Sequence, residues 1–250
     1  QAAPGSTFKV VSALALLRDG ATPATPMECP TTTVVDGKAF ENYDDYPPGA
    51  LGGITLAGAL ANSCNTAFVD AAAGLGEGAL ADAAASLGLG VDHDLGFPAY
   101  FGQVPPPESE TEAAADMIGQ GGILASPMVM AAVVASVQEG STVVPWLVDD
   151  VRSEPASGVA PLREREAGQL RAMMREVVRD GSGSALADLP GPPVIAKTGT
   201  AEFDREGERL LQGRGGEGVV DDDERPRLAA EGGKTGDVGD AQQRVRRGLH

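Results

Sequence analysis

An α/β (α+β) fold, in which helices alternate with short extended pieces, is what this sequence predicts. Two observations point to it. Apolar stretches of helical length recur along the chain, whereas the residues between them are rich in Pro, Gly and Thr and hold only short extended pieces. In addition, three short polar motifs, Ser6-Thr7-Phe8-Lys9, Ser63-Cys64-Asn65 and Lys197-Thr198-Gly199-Thr200, fall next to these elements.

Taken in order, Pro4-Gly5 signals a turn. Phe8, Val10, Val11, Ala13, Leu14, Leu16 and Leu17 then predict a buried helix that carries Ser6 and Lys9 in its first turn and ends near Asp19-Gly20. Residues 21–50 read as loop and hairpin, with Thr33-Val34-Val35 extended before Asp36-Gly37. Ile54 to Ala61 reads as a helix that delivers Ser63, and a second runs from about Thr66 to Ala73. Gly- and Ala-rich helical segments follow to Leu89, and residues 90–112 form a Pro-rich connection. Ser126-Pro127 opens a helix closed by Gly140. Another spans about Glu164 to Arg179 and ends at Gly181. Val194-Ile195-Ala196 is expected as a strand leading into Lys197.

The bulk properties narrow the function. The chain has 250 residues and a net charge of -17, with a pI near 4.4. Such a balance opposes nucleic-acid binding, which needs cations against phosphates. With only His93 and His250, no metal cluster or Ser-His-Asp triad is expected, and no cofactor. Cys29 and Cys64 are the only cysteines, and either a disulfide or two buried thiols would fit. No run is long and apolar enough to cross a bilayer. The chain starts at Gln1, in mid-motif, so an upstream segment is expected.

After Phe203 the composition changes. Residues 204–250 hold no aromatics and are charged at 20 of 47 positions, against 35 of the preceding 203. A partition into 1–203, a partial catalytic domain, and 204–250, a low-complexity charged tail, follows. The tail reads as disordered or as a frameshifted or artefactual ending, the second being favoured.

The motifs carry the chemistry. Acyl transfer through a serine needs a nucleophile, a neighbouring base and donors for an oxyanion. Ser6 and Lys9, at i and i+3, share a helix face, and a lysine whose pKa is lowered by burial can accept the serine proton. Ser63 offers a relay hydroxyl and Asn65 an amide for a substrate carbonyl. Lys197 and Thr198 suit a carboxylate, Gly199 allows close approach of a ligand, and the backbone N–H groups of Thr200 and Ser6 suit an oxyanion hole. Singly, each motif is common as a helix cap or a solvated face.

In this order the three motifs resemble the transpeptidase domain of penicillin-binding proteins, of the β-lactamase-like superfamily, signed Ser-x-x-Lys, Ser-x-Asn, Lys-Thr-Gly. Gly37-Lys38-Ala39-Phe40-Glu41-Asn42-Tyr43, Thr66-Ala67-Phe68, Ile118-Gly119-Gln120-Gly121 and Ser126-Pro127-Met128-Val129-Met130-Ala131 also look like this family, in an actinobacterial form. The resemblance covers residues 1 to about 203. It implies a helical cluster against a five-stranded antiparallel sheet that is incomplete here, the strands preceding Ser6 being absent and those following Lys197 expected in 204–250. A chain so depleted is expected to fold poorly and react weakly. Lys234-Thr235-Gly236 repeats the third motif without a strand before it and reads as coincidence.

The resemblance further implies catalytic roles for Ser6, Lys9, Ser63 and Asn65, and substrate binding by Lys197, Thr198, Gly199 and Thr200. The substrates are peptidoglycan stem peptides ending in D-Ala-D-Ala, and β-lactam antibiotics acylate the same serine. Cell-division or elongation proteins are expected partners. The expected location is the extracytoplasmic face of the cell membrane, through an N-terminal anchor outside this chain. The alternatives are a non-catalytic β-lactam sensor or an inactive fragment, a serine β-lactamase, and a helical interaction protein.

Overall fold

The structure is a computed structural model that describes residues 1–146, 152–199, 202–205 and 208–211. At its centre lies α1 (Lys9–Arg18), in which Val10, Val11, Ala13, Leu14 and Ala15 are all buried. A helix apolar on every side has to be surrounded. The helices α2 (Leu56–Ala61), α4 (Ala79–Ser86) and α7 (Glu164–Asp180) all pack on it.

The remaining helices are α3 (Asn65–Ala71), α5 (Glu110–Asp116) and α6 (Pro127–Glu139). Ser126 caps α6 by accepting from Val129 N at 3.2 Å, Pro127 occupies its first turn, and Gly140 ends it in the left-handed region. In α7, Ala167, Leu170, Met173, Met174, Val177 and Val178 form one buried stripe. Glu166 at its start accepts from Arg18 of α1, Nη2 to Oε2 at 3.0 Å, joining the two helices.

Strands occur only as antiparallel pairs among the described residues. The β1 (Pro26–Cys29) and β4 (Gly52–Thr55) strands pair with Cys29 opposite Gly52. The β2 (Thr32–Val35) and β3 (Lys38–Glu41) strands form the expected hairpin about Asp36-Gly37. Both turn residues have positive φ, 47° and 80°, the conformation that suits a two-residue hairpin. The β5 (Glu202–Arg205) and β6 (Glu208–Leu211) strands make a third ribbon.

Three sequence expectations are corrected. The second helix begins at Leu56, not Ile54, because Ile54 and Thr55 pair with β1 and Thr55 caps α2. Residues 110–112 belong to α5 and not to the Pro-rich connection. Ser109 accepts from Glu112 N, a Ser-x-x-Glu start legible in the sequence. Residues 194–196 form no strand. Among the described residues their backbone meets α7 rather than another strand, with Ala196 N donating to Met174 O at 3.3 Å and Arg175 Nη1 to Val194 O at 2.8 Å. The β5–β6 ribbon takes in residues on both sides of Phe203 and reaches into 204–250. The rest of that segment, with Lys234-Thr235-Gly236, lies outside the described residues. Among the described residues no helix is long and apolar enough to cross a membrane.

Candidate active site

Ser6 sits on a 3-10 turn, Gly5–Phe8, that runs directly into α1 at Lys9. With three residues per turn, positions i and i+3 eclipse, and Lys9 Nζ lies 3.1 Å from Ser6 Oγ. The turn is held from outside, Gly5 N donating to Gly119 O at 2.9 Å. Gly119 ends the α5 segment at φ 71°, and a Cβ there would lie 2.1 Å from Gly5 O. Only glycine permits this approach, which accounts for Ile118-Gly119-Gln120-Gly121 beside the first motif.

The second motif is presented by the end of α2. Ser63 N donates to Leu60 O at 3.2 Å and Cys64 N to Ala59 O at 2.9 Å. These are the two bonds of a Schellman cap, whose left-handed position is usually glycine. Here it is Ser63, at φ 56°. A side chain in this region costs about 1 kcal/mol or more, and the surroundings must hold it. A disulfide from Cys64 to Cys29 at the end of β1 does so. So does Asn42, whose Oδ1 accepts from Asn65 N at 2.7 Å and Thr66 N at 3.3 Å while Nδ2 donates to Pro30 O at 3.0 Å.

The third motif completes the cluster. Lys197 Nζ donates to Ser63 Oγ at 2.8 Å and to Thr198 O at 2.9 Å. Lys9 Nζ donates to Asn65 Oδ1 at 2.6 Å and Ser63 O at 2.8 Å, and lies 3.2 Å from Ser63 Oγ. Ser63 thus bridges the two lysines. Both lysines are essentially inaccessible to solvent, and neither forms an ion pair among the described residues. Burial, and then the positive charge of Lys197, drives the Lys9 amine well below the ordinary lysine range. Burial lowers Lys197 to about 7.

A neutral amine has two hydrogens and one lone pair. When Lys9 is neutral, its hydrogens can go to Asn65 Oδ1 and Ser63 O, the two shortest contacts, which leaves the lone pair for the Ser6 hydroxyl. The geometry therefore allows Lys9 to take a proton from Ser6 and Ser63 to pass one between the lysines.

The structure brings Ser6, Lys9, Ser63, Asn65, Lys197 and Thr198 into one connected cluster, with Gly199 buried next in the chain. Thr200 lies outside the described residues. No group of three or more His, Cys, Asp or Glu side chains that could hold a metal occurs among the described residues. Two supporting residues had no role in the sequence reading. Asn42 was visible only inside a longer family-like stretch, and Ser182, treated below, gave no signal beyond following a helix end.

Replacing Asn42 with alanine leaves the backbone N–H groups of Asn65 and Thr66 without their partner. The expected result is a loss of about 2 kcal/mol of stability. Thermal melting checks it.

A cluster of this kind invites comparison with known proteins. The model of the transpeptidase domain of penicillin-binding proteins matches residues 1–213. The chain belongs to this family. As a transpeptidase domain it is 33% identical over 223 residues to the peptidoglycan D,D-transpeptidase PbpA of Mycolicibacterium smegmatis, covering 80% of this chain and 43% of that protein. The PbpA of Mycobacterium tuberculosis is 29% identical over 212 residues with the same coverage. The transpeptidase domain thus spans less than half the length of these curated relatives.

Among solved structures, a ceftriaxone acyl-enzyme complex of M. tuberculosis penicillin-binding protein A superposes with a TM-score of 0.70 at 27% identity. The match covers 81% of this chain and 48% of that one. The D,D-transpeptidase domain of an Eggerthella lenta peptidoglycan glycosyltransferase gives 0.68 at 27% identity, covering 84% and 56%. The match to 1–213 reaches past Phe203 and takes in the β5–β6 ribbon.

Proposed function

We propose that this domain is a serine D,D-transpeptidase that crosslinks peptidoglycan stem peptides and is acylated by β-lactams. The observation that carries the proposal is the Ser6–Lys9–Ser63–Lys197 chain of contacts, in which two buried lysines flank one relay serine. Ser6 Oγ attacks the penultimate D-Ala carbonyl as its proton passes to Lys9. The amide C–N bond breaks, and the departing D-Ala nitrogen takes a proton delivered through Ser63. An amine of a neighbouring stem peptide then attacks the ester and frees Ser6. Asn65 orients Lys9 and faces the acyl chain. Lys197 and Thr198 bind the terminal carboxylate, with Gly199 allowing its approach. The Ser6 and Thr200 N–H groups hold the oxyanion. With a β-lactam the leaving nitrogen stays tethered by the opened ring, and the acyl-enzyme persists.

The Cys29–Cys64 disulfide supports a location in an oxidising compartment, here the extracytoplasmic face of the cell membrane. One neighbour, described as a structural coordination of polymerization and crosslinking by a peptidoglycan synthase complex, aligns with a TM-score of 0.66 at 31% identity. We accordingly place cell-division or elongation proteins among the partners.

The test is intact mass after incubation with a fluorescent penicillin, for the wild-type chain and Ser6→Ala. A stoichiometric adduct present in the first and absent in the second is expected. An adduct that survives Ser6→Ala would overturn the assignment of the nucleophile. Rapid release of hydrolysed drug would turn the reading towards a hydrolase.

A further inference from the structure

Ser182, immediately beyond α7, touches two motifs at once. Its backbone N donates to Ala61 O at 2.9 Å, and its hydroxyl lies 3.1 Å from the same carbonyl and 2.7 Å from Thr198 Oγ1. Ala61 is the last residue of α2, two positions before Ser63. The approach is enforced by Gly181, where a Cβ would lie 2.3 Å from Ala61 O. Ser182 therefore links the helix that presents the second motif to the threonine of the third.

We propose that Ser182 is a positioning residue that sets the hydrogen-bond direction of Thr198 and so tunes this site for a carboxylate-bearing ligand. The inference rests on the transpeptidase reading of the site. Each hydroxyl has one hydrogen and two acceptor lone pairs. In the unliganded cluster Thr198 donates to Ser182 and Ser182 donates to Ala61 O. A carboxylate only accepts, so Thr198 must turn its hydrogen towards the ligand. Ser182 can then turn its own hydrogen to Thr198 Oγ1, because Ala61 O keeps the Ser182 backbone N–H. Neither state leaves a buried donor or acceptor unpaired, and only two hydroxyl rotors move. In the liganded state the donation from Ser182 polarises Thr198 and strengthens its bond to the anion.

The test compares acylation of the full chain by a penicillin with a free carboxylate and by its methyl ester. A hydrogen bond to a charged group exceeds one to a neutral group. Ser182→Ala is therefore expected to slow acylation by the acid about tenfold, while the rate with the ester changes less than about twofold. Ser182→Thr, which keeps a hydroxyl, is expected to retain the wild-type ratio of the two rates. Equal slowing for acid and ester, or no slowing for the acid, would overturn the role of Ser182. If Ser182→Ala fails to fold, Ser182→Cys, a weaker donor, is expected to lower the acid-to-ester ratio, and an unchanged ratio would overturn the proposal. If the wild-type chain forms no Ser6-dependent adduct with either ligand, the transpeptidase reading falls, and this inference with it.

Discussion

Replacing Lys9 with methionine is expected to lower the second-order rate of Ser6 acylation by about 10³-fold, within the range for a lost general base. Methionine keeps the length and apolar body of the side chain, and Lys9 lies fully buried among the residues at the start of α1. Circular dichroism should show a folded protein, while stopped-flow labelling shows the loss. The pH profile separates a base from a structural lysine. The second-order rate constant reports groups of the free enzyme.

Burial and the Lys197 charge hold Lys9 below its ordinary range. Its amine is therefore neutral over a wider interval than that of an exposed lysine, and the wild-type rate falls as acid protonates it. That acid limb should vanish in Lys9→Met. Lys197, at about 7, loses its charge as the pH rises through neutrality. Acylation by a carboxylate-bearing penicillin should therefore decline on the alkaline side, and its methyl ester should decline less.

Lys197 also makes stability depend on pH. Below about 7 it is protonated in both the folded and the unfolded chain. Between about 7 and the ordinary value of 10.5 the unfolded chain binds one more proton. Raising the pH through this window therefore favours the folded state, and above it the contribution is constant. A melting temperature that rises from pH 7 towards pH 10, and rises less in Lys197→Met, is the expected sign.

Loss of the Cys29–Cys64 disulfide is the second large effect. The bridge closes a loop with a sequence separation of 35. In the chain-entropy model such a closure removes about 4 kcal/mol of unfolded-state freedom. For a chain of this size that corresponds to a fall in melting temperature of about 12 °C. Calorimetry of the Cys29→Ser, Cys64→Ser double variant against wild type checks it, and a fall under about 3 °C would contradict it. The same variant should acylate more slowly. Cys64 lies between Ser63 and Asn65, and without its bridge the left-handed Ser63 turn depends on Asn42 and on Thr66, whose Oγ1 donates to Pro30 O at 2.7 Å.

Local rules made much of the fold legible. The Asp36-Gly37 hairpin, the Ser126-Pro127 start of α6 and its Gly140 end, and the apolar run of α1 each follow from a few adjacent residues. The start of α5 is equally legible in Ser109-Glu110-Thr111-Glu112, although the prolines just before it favour a connection. The 194–196 segment shows the opposite limit. Its β-branched residues favour extension, but a strand exists only with a partner, and here the neighbour is a helix.

The chemistry divides in the same way. By itself the sequence determined that Ser6 and Lys9 stand together, because i,i+3 proximity is a property of the local turn. It also determined the family through the order of three motifs. Only the tertiary structure decided that Ser63 bridges two buried lysines, that Cys29 pairs with Cys64, and that Asn42 and Ser182 brace the second and third motifs. These contacts join residues tens of positions apart, 134 in the case of Lys197 and Ser63. No local propensity encodes them. Packing around α1 removes water from both lysines, and that desolvation lowers the proton affinity of what are ordinarily strongly basic amines.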